Sequence, residues 1–476
     1  MSTSWERSLR SLVRGGVFAR GDVGYETACA LHNGAAQGDP AVVVRPCDVT
    51  DVQNTLLFAR SSGLRPSVRG GGHGVVGHAV KGDVVIDLSG MRRVQVDPIT
   101  RTAAVQGGAL WGDVDIGTQV HGLAVPGGRI SHTGVGGLTL GGGEGWLSCR
   151  HGLTSDNLLS VEVVTADGRV TTASAERNPE LFWALRGGGG NFGVATSFTF
   201  RLHPVGPRVL GGMLAFPLAA APLVFDLMEE LFARGCDDFA GAVGYKTAPP
   251  APFVPGHLVG RPLLVVIPVW FGDVDEGERF VSPLRTRVVP LIDAVSPMPY
   301  TMLQSMLDAG SPRGLRNRWT SGFVPSVTPR LVELMEDAAC AMPSGFSQIL
   351  LVKLPEAVRR LPDDATAFPS RSGRWLVHPV GAWSDPAGDA AGEAWVAALG
   401  AAIRSSGETG TYLNVDQAGP DRMRWALGEQ RYQRLQEVKR AWDPGDTFRH
   451  CAHIPPPDPS VLRGAAVSAG TSEHTS

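Results

Sequence analysis

Arg69-Gly70-Gly71-Gly72-His73-Gly74 follows the strand-like Arg65-Pro66-Ser67-Val68. A glycine loop therefore leaves a strand with one histidine at its tip. Glycine reaches positive φ and has no Cβ to hold a large ligand off the backbone. A neutral imidazole so placed is a nucleophile toward whatever lies on the loop. Two more runs follow: Gly134-Val135-Gly136-Gly137 through Gly141-Gly142-Gly143, and Arg186-Gly187-Gly188-Gly189-Gly190-Asn191-Phe192-Gly193. Three such loops in one half of the chain point to one long, polar, phosphate-bearing cofactor held by backbone.

Gly72-His73-Gly74-Val75-Val76-Gly77 also matches the dinucleotide fingerprint G-x-G-x-x-G, and Asp97 lies where the ribose-binding acid belongs. That fingerprint must open a helix. Only Val75 to Lys81 separates it from Gly82-Asp83 and the next strand, Val84 to Leu88, so the Rossmann reading fails. No G-K-[S/T] occurs, which excludes a P-loop.

The chain has 476 residues, enough for two or three domains. Net charge is -3, so nothing marks a nucleic-acid or acidic-membrane partner. No apolar run reaches the roughly 18 residues of a membrane span, and Met1 to Phe18 lacks a signal-peptide core. Lysine occurs only at Lys81, Lys246, Lys353 and Lys439. The 6 cysteines are scattered without a C-x-x-C pair, which fits reduced thiols and a cytoplasmic location.

The first half alternates strands, helices and tight turns. Ala41 to Val44 reads as a buried strand. Thr50-Asp51-Val52-Gln53 reads as a capping box opening a helix through Ala59, closed by Gly63. Ala166-Asp167-Gly168 between Ser160–Val164 and Arg169–Thr172 is a hairpin signal. Asn178-Pro179 caps a short helix that ends at the last glycine run, before a strand from Val194 to Leu202. Pro204 and Pro207 mark a boundary. Beyond it, helices (Leu223–Ala233, Arg330–Ala341) alternate with apolar strands (Pro262–Phe271, Gln348–Lys353, Trp375–Trp383). Lys246 to Arg261 is Pro-rich and reads as a surface loop. Asp421 to Trp442 reads as one amphipathic helix, and the Ser/Gly/Ala-rich end from about Leu462 as disordered.

These motifs carry a resemblance. Val68 to His73, Thr133 to Gly143, His151-Gly152-Leu153-Thr154-Ser155-Asp156-Asn157, Arg186 to Gly193, Tyr412-Leu413-Asn414 and Trp442-Asp443-Pro444 stand in an order that resembles berberine-bridge-enzyme-like, FAD-linked oxidoreductases of the vanillyl-alcohol-oxidase/p-cresol-methylhydroxylase superfamily. The resemblance implies an α+β fold: a PCMH-type FAD-binding domain with an inserted antiparallel-sheet substrate domain. It divides the chain into 1–206 (FAD domain), 207–411 (substrate domain), 412–461 (return to the FAD domain) and a tail, 462–476. It implies FAD bonded covalently through His73. Many members add a second bond from a cysteine four residues before the G-V-G-G run; here that position is Ile130, so a single bond is expected. The implied cradle is Arg69, Gly70, Gly71, Gly72, His73, Gly74, His78, His132, Thr133, Gly134, Gly137, Gly141, Asn157, Gly190, Gly193, Val194 and Asn414. His132 and Thr133 belong to the loop that, in the family, passes the reactive flavin edge, where a small Thr admits O2.

The substrate side departs from the family. Val415 and Leu350 stand where many relatives carry a tyrosine base and an acid, and Cys451-Ala452-His453 replaces N-x-N. Strand alternation places Leu376, His378 and Val380 on one face, which makes His378 the leading candidate base, with Lys353 next. Tyr412 and Cys451 are further pocket candidates. The expected function is FAD-dependent oxidation of a small organic secondary metabolite, with O2 reoxidising the flavin. An oxygenase, or a non-redox protein retaining FAD, are the alternatives. Partners expected are a small-molecule substrate and O2, with a homodimer as the assembly to test.

Overall fold

The computed structural model describes residues 4–416 and 419–457, so the expectation of a disordered tail lies outside the described residues. The first half builds two sheets. Gly16–Ala19, Val42–Arg45, Val84–Asp87 and Pro66–Arg69 form a four-stranded sheet in that order. Val84–Asp87 runs parallel to both neighbours, and its all-valine and isoleucine interior is fully buried, as a strand covered on both faces requires. The helix Val49–Ser61 lays Val52 and Leu56 against Ile86. Its cap is Asp48, whose carboxylate accepts from the Asp51 N–H at 3.1 Å, and not the expected Thr50. Aspartate competes better for the cap than threonine, and Asp48 has the extended backbone the position needs.

Val94–Asp97, Thr102–Gln106, Val194–Arg201, Leu158–Val164 and Val170–Ser174 form an antiparallel five-stranded sheet in that order. The expected hairpin is present, with Gly168 at φ +81°. Pro179–Ala184 is helical, but Asn178 sits in the left-handed region and its amide donates to Thr172 O instead of capping.

From Arg208 to Trp383 the chain builds a ten-stranded antiparallel sheet. Helices Ala221–Ala233, Pro329–Cys340 and Asp389–Ser405 cover one face through a core that includes Phe216, Tyr245, Trp375 and Val377. Strand period places Trp375 and Val377 on the helix side and Leu376, His378 and Val380 on the other. The chain then returns. Leu427, Tyr432, Leu435 and Val438 pack into the core of the five-stranded sheet with Trp111 and Phe198. The expected single helix is two, Pro420–Leu427 and Glu429–Trp442. Gly428 breaks it, at φ +72°, ψ 152°, outside any helical region. The fold is α+β. No helix among the described residues is long and apolar enough to cross a membrane.

Candidate active site

The glycine runs meet as backbone. Gly71 and Gly134 lie so close that a Cβ on Gly134 would stand 2.3 Å from Gly71 N. The Leu140 carbonyl accepts from Gly187 N–H at 2.9 Å and Gly189 N–H at 3.0 Å, which fastens the third run to the second. A Cβ on Gly141 would stand 1.8 Å from Asn414 Oδ1. The last run is tied to the returning chain by Asn191, whose amide donates to Ala452 O at 2.9 Å, and by the buried Lys439, which donates to Asn191 O at 2.9 Å.

These loops line one side of a cavity of about 1100 Å³, beyond the roughly 300–1,000 Å³ of a small-molecule pocket. Gly70, Gly71, Gly72, His73, Gly74, His78, Thr133, Gly134, Gly137, Gly141, Gly190, Gly193, Tyr412, Asn414 and Cys451 all face it, as does Ile130. Cys149 is buried elsewhere, against Trp146 and Tyr300.

His73 stands in a histidine cluster. Its ring stacks on His32 with centroids 3.9 Å apart, and His132 lies 5.2 Å away. The His32 backbone N–H donates to Gly72 O at 2.9 Å, which ties the segment carrying His32 to the loop. His73 Nε2, His32 Nδ1 and His132 Nδ1 are shut off from solvent without a hydrogen-bond partner. Burial and the two neighbouring imidazoles hold His73 well below the usual histidine pKa, and burial holds His32 down to about 4. Burial lowers the pKa of His132 as well, so all three are neutral at pH 7, the state in which a ring nitrogen is nucleophilic. His32 gave no sequence signal, because only the fold brings it beside His73.

The opposite wall is the free face of the ten-stranded sheet. Gly244, Leu350 and His378 form one cross-strand row, and Lys246, Gln348 and Val380 the next. Apart from Tyr245, Lys246, Gln348 and His378, these strands present apolar or glycine residues to the cavity. His378 Nδ1 lies 2.9 Å from the Thr320 carbonyl, so this nitrogen carries the proton and Nε2 is the acceptor. Burial lowers its pKa to about 4. The ring therefore does not titrate near the ordinary histidine value of 6.5.

Other candidates move. Lys353 is absent from the cavity wall: it points to the helix side, paired with Glu229 and over Phe232 at 5.3 Å. Lys246 is the lysine that the ten-stranded sheet brings to the cavity, and the Pro-rich segment after it, read as surface loop, sends Pro249, Pro250 and Phe253 to the cavity wall. Tyr412 uses its hydroxyl to accept from Gly143 N–H at 3.1 Å and Asn414 Nδ2 at 2.9 Å, and burial raises its pKa, so it is no base at neutral pH. Cys451 donates to Asn191 Oδ1 at 3.2 Å, and burial pushes its thiol up to about 12. Arg69 turns away to the Ala28 carbonyl and toward Asp87. Asn157 is spent on the His151 and Leu153 carbonyls and on His203. Val194 is core, beside Val52 and Phe448. His132 is part of the cluster behind His73, and does not line the cavity.

The residues present fit FAD. Backbone loops without Cβ atoms form the cradle, and an unpartnered neutral imidazole nitrogen sits within it. Comparison with known proteins agrees. A family described as an FAD binding domain matches residues 40–174. An FAD-linked oxidoreductase of Dictyostelium discoideum is 32% identical over 77% of this chain and 78% of its own length. The aclacinomycin-N/aclacinomycin-A oxidase of Streptomyces galilaeus is 30% identical over 89% of this chain and 87% of its own. The solved 6-hydroxy-D-nicotine oxidase of Arthrobacter nicotinovorans superposes with a TM-score of 0.81 at 25% identity, covering 94% of this chain and 98% of its own. With its glycine cradle, histidine-tipped loop and inserted sheet, the chain belongs to the FAD-linked oxidoreductases.

Proposed function

We propose that this enzyme oxidises a small organic secondary metabolite, holds FAD covalently through His73, and uses O2 as final electron acceptor. The observation that carries the reading is one continuous cavity with the glycine loops and His73 on one wall and the apolar sheet face bearing His378 on the other. The relative named as an aclacinomycin oxidase supports oxidation of a natural product.

When bound, FAD supplies a two-electron acceptor that O2 regenerates with release of hydrogen peroxide. The chain's own residues do the rest. Gly70 to Gly74, Gly134 to Gly141 and Gly190 to Gly193 hold the cofactor by backbone. His73 supplies the attaching nitrogen, and Thr133 on the cavity wall leaves room for O2. The sheet face excludes water and orients the substrate. His378 Nε2 accepts the substrate's hydroxyl proton, its ring held by the Thr320 carbonyl.

Two measurements test this without knowledge of the substrate. Acid-precipitated wild type stays yellow, and the His73→Ala protein releases its colour; free FAD in the wild-type supernatant overturns the covalent bond. Enzyme photoreduced without oxygen and then mixed with aerated buffer yields one equivalent of peroxide. Slow reoxidation without peroxide overturns the oxidase reading.

A further inference from the structure

Lys246 is the one charged side chain that the ten-stranded sheet brings to the cavity among the described residues. Its ammonium has one hydrogen bond there, to Gln348 Oε1 at 3.4 Å. Burial draws its pKa down, and no charged neighbour acts on it. The other charges on the cavity are matched or lie elsewhere. Arg129 pairs with Glu144 and Asp416 with Arg422, whereas Lys81 and Arg449 belong to the half that carries the glycine loops. The ammonium also packs closely on Gly310, where a Cβ would stand 2.9 Å from Nζ. At the mouth, Phe253 and Phe346 are 52% and 40% exposed while facing the cavity, a surface suited to rings.

A partly desolvated cation with a neutral partner at long range is unfavourable on its own. An anion arriving with the ligand supplies the missing charge-assisted hydrogen bond. We propose that Lys246 recognises an anionic group, a carboxylate or an ionised phenol or enol, on an otherwise apolar ring-bearing substrate. This rests on the oxidase reading of the same cavity and names its substrate class. Lys246 and His378 stand in adjacent cross-strand rows of one face, so a ligand held at its anionic end reaches His378 with its body.

The test is calorimetric titration of flavin-loaded enzyme with naphthoate and with naphthalenemethanol, which differ in charge and little in shape. Wild type binds naphthoate at least about tenfold more tightly, the least a charge-assisted bond provides. Lys246→Met abolishes the preference and leaves naphthalenemethanol binding and the flavin spectrum unchanged, while Lys246→Arg retains it. Equal affinities in wild type, no naphthoate binding, or a preference that survives in Lys246→Met overturns the proposal. Where Lys246→Met does not fold, the wild-type pair and Lys246→Arg still decide. No turnover is involved, so failure of the oxidase reading, read from peroxide on reoxidation, is a separate result.

Discussion

Gly134→Ala isolates what the glycine loops do. Gly134 has φ −70° and ψ 135°, which alanine adopts without strain, so any penalty is steric. The added Cβ would stand 2.3 Å from Gly71 N and 2.7 Å from Gly71 Cα. An unstrained contact needs about 3.5 Å, so the loops must part by roughly 1 Å. Neither atom can give way alone, because Gly71 leads to His73 and the Gly134 run is pinned through Leu140 to Gly187 and Gly189. Overpacking of this kind costs about 1–3 kcal/mol. Its functional cost is of similar size: a displacement of about 1 Å in a positioning element removes about 10²-fold of rate, which is about 2.7 kcal/mol. The assay is flavin content per protein, followed by melting temperature. Gly134→Ala should lose covalent flavin and melt earlier. Gly137→Ala is the control, because its Cβ meets no protein atom within 4 Å and alanine favours the helix it would join. It should fold at least as well, so any flavin it loses reports the cavity alone. Full covalent flavin and an unchanged melting point in Gly134→Ala would refute the argument that this contact builds the cradle.

Replacement of His378 by alanine should slow flavin reduction by at least about a hundredfold, the usual contribution of a positioned base. In wild type the rate should fall only as pH drops through about 4, where the buried ring gains its proton; a limb near 6.5, or an unaffected rate in the variant, would reduce His378 to a wall residue. Asp115 is fully buried with Gln304 as its hydrogen-bond donor, and burial raises its pKa to about 7 from 3.8. A group raised in the folded state gives stability that is full below 3.8 and lost as pH rises through 7. The loss is about 4 kcal/mol at 1.36 kcal/mol per pH unit. Asp115→Asn should therefore be the more stable protein at pH 8 and the flatter one between pH 5 and 8; a constant difference in melting temperature across that range would show that Asp115 does not titrate there.

The sequence disclosed the cradle better than the chemistry. Glycine runs and His73 were legible because a missing Cβ is written in the chain itself. The facing of His378 was legible because strand period is 2, and Trp375–Trp383 keeps it. The errors have a common cause. Arg69, Asn157 and Val194 sit within or beside motif residues, yet whether a side chain turns to ligand or to protein depends on neighbours far along the chain. Arg69 finds Ala28, and Asn157 finds His203. Lys246 was hidden for the opposite reason. Its strand, Phe239–Thr247, carries Gly241 and Gly244 and runs into prolines, so its local pattern reads as loop. Pairing along its full length with Pro262–Trp270 overrides that preference. His32 stands alone in sequence, and the cap Asp48 lies beside Thr50-Asp51-Val52-Gln53, whose residue types fit the box pattern better.

The apolar residues at the family's base positions constrain the substrate. Leu350 faces His378 directly across the strand pair, and Val415 packs beside Trp319 and Val380, so neither position stabilises a proton. That leaves an imidazole whose conjugate acid has a pKa of about 4. Full transfer of a phenol's proton, pKa about 10, to such a ring costs about 8 kcal/mol, at 1.36 kcal/mol per pH unit. For a water-like hydroxyl near pKa 15.7 the cost is about 16 kcal/mol. Proton and electron departure must then be closely coupled, or the hydroxyl must arrive already acidic. The wall supplies a reason to favour the second. An ammonium one row from His378 lowers the energy of an oxyanion in the same cavity, and an apolar face around it removes the water that would otherwise compete. In that arrangement Lys246 does by charge part of what a tyrosinate or carboxylate does by proton transfer. A substrate whose acidic hydroxyl is conjugated through its ring to the C–H bond that gives up hydride is thus the one these residues are suited to oxidise, and an isolated aliphatic alcohol is the one they are least able to.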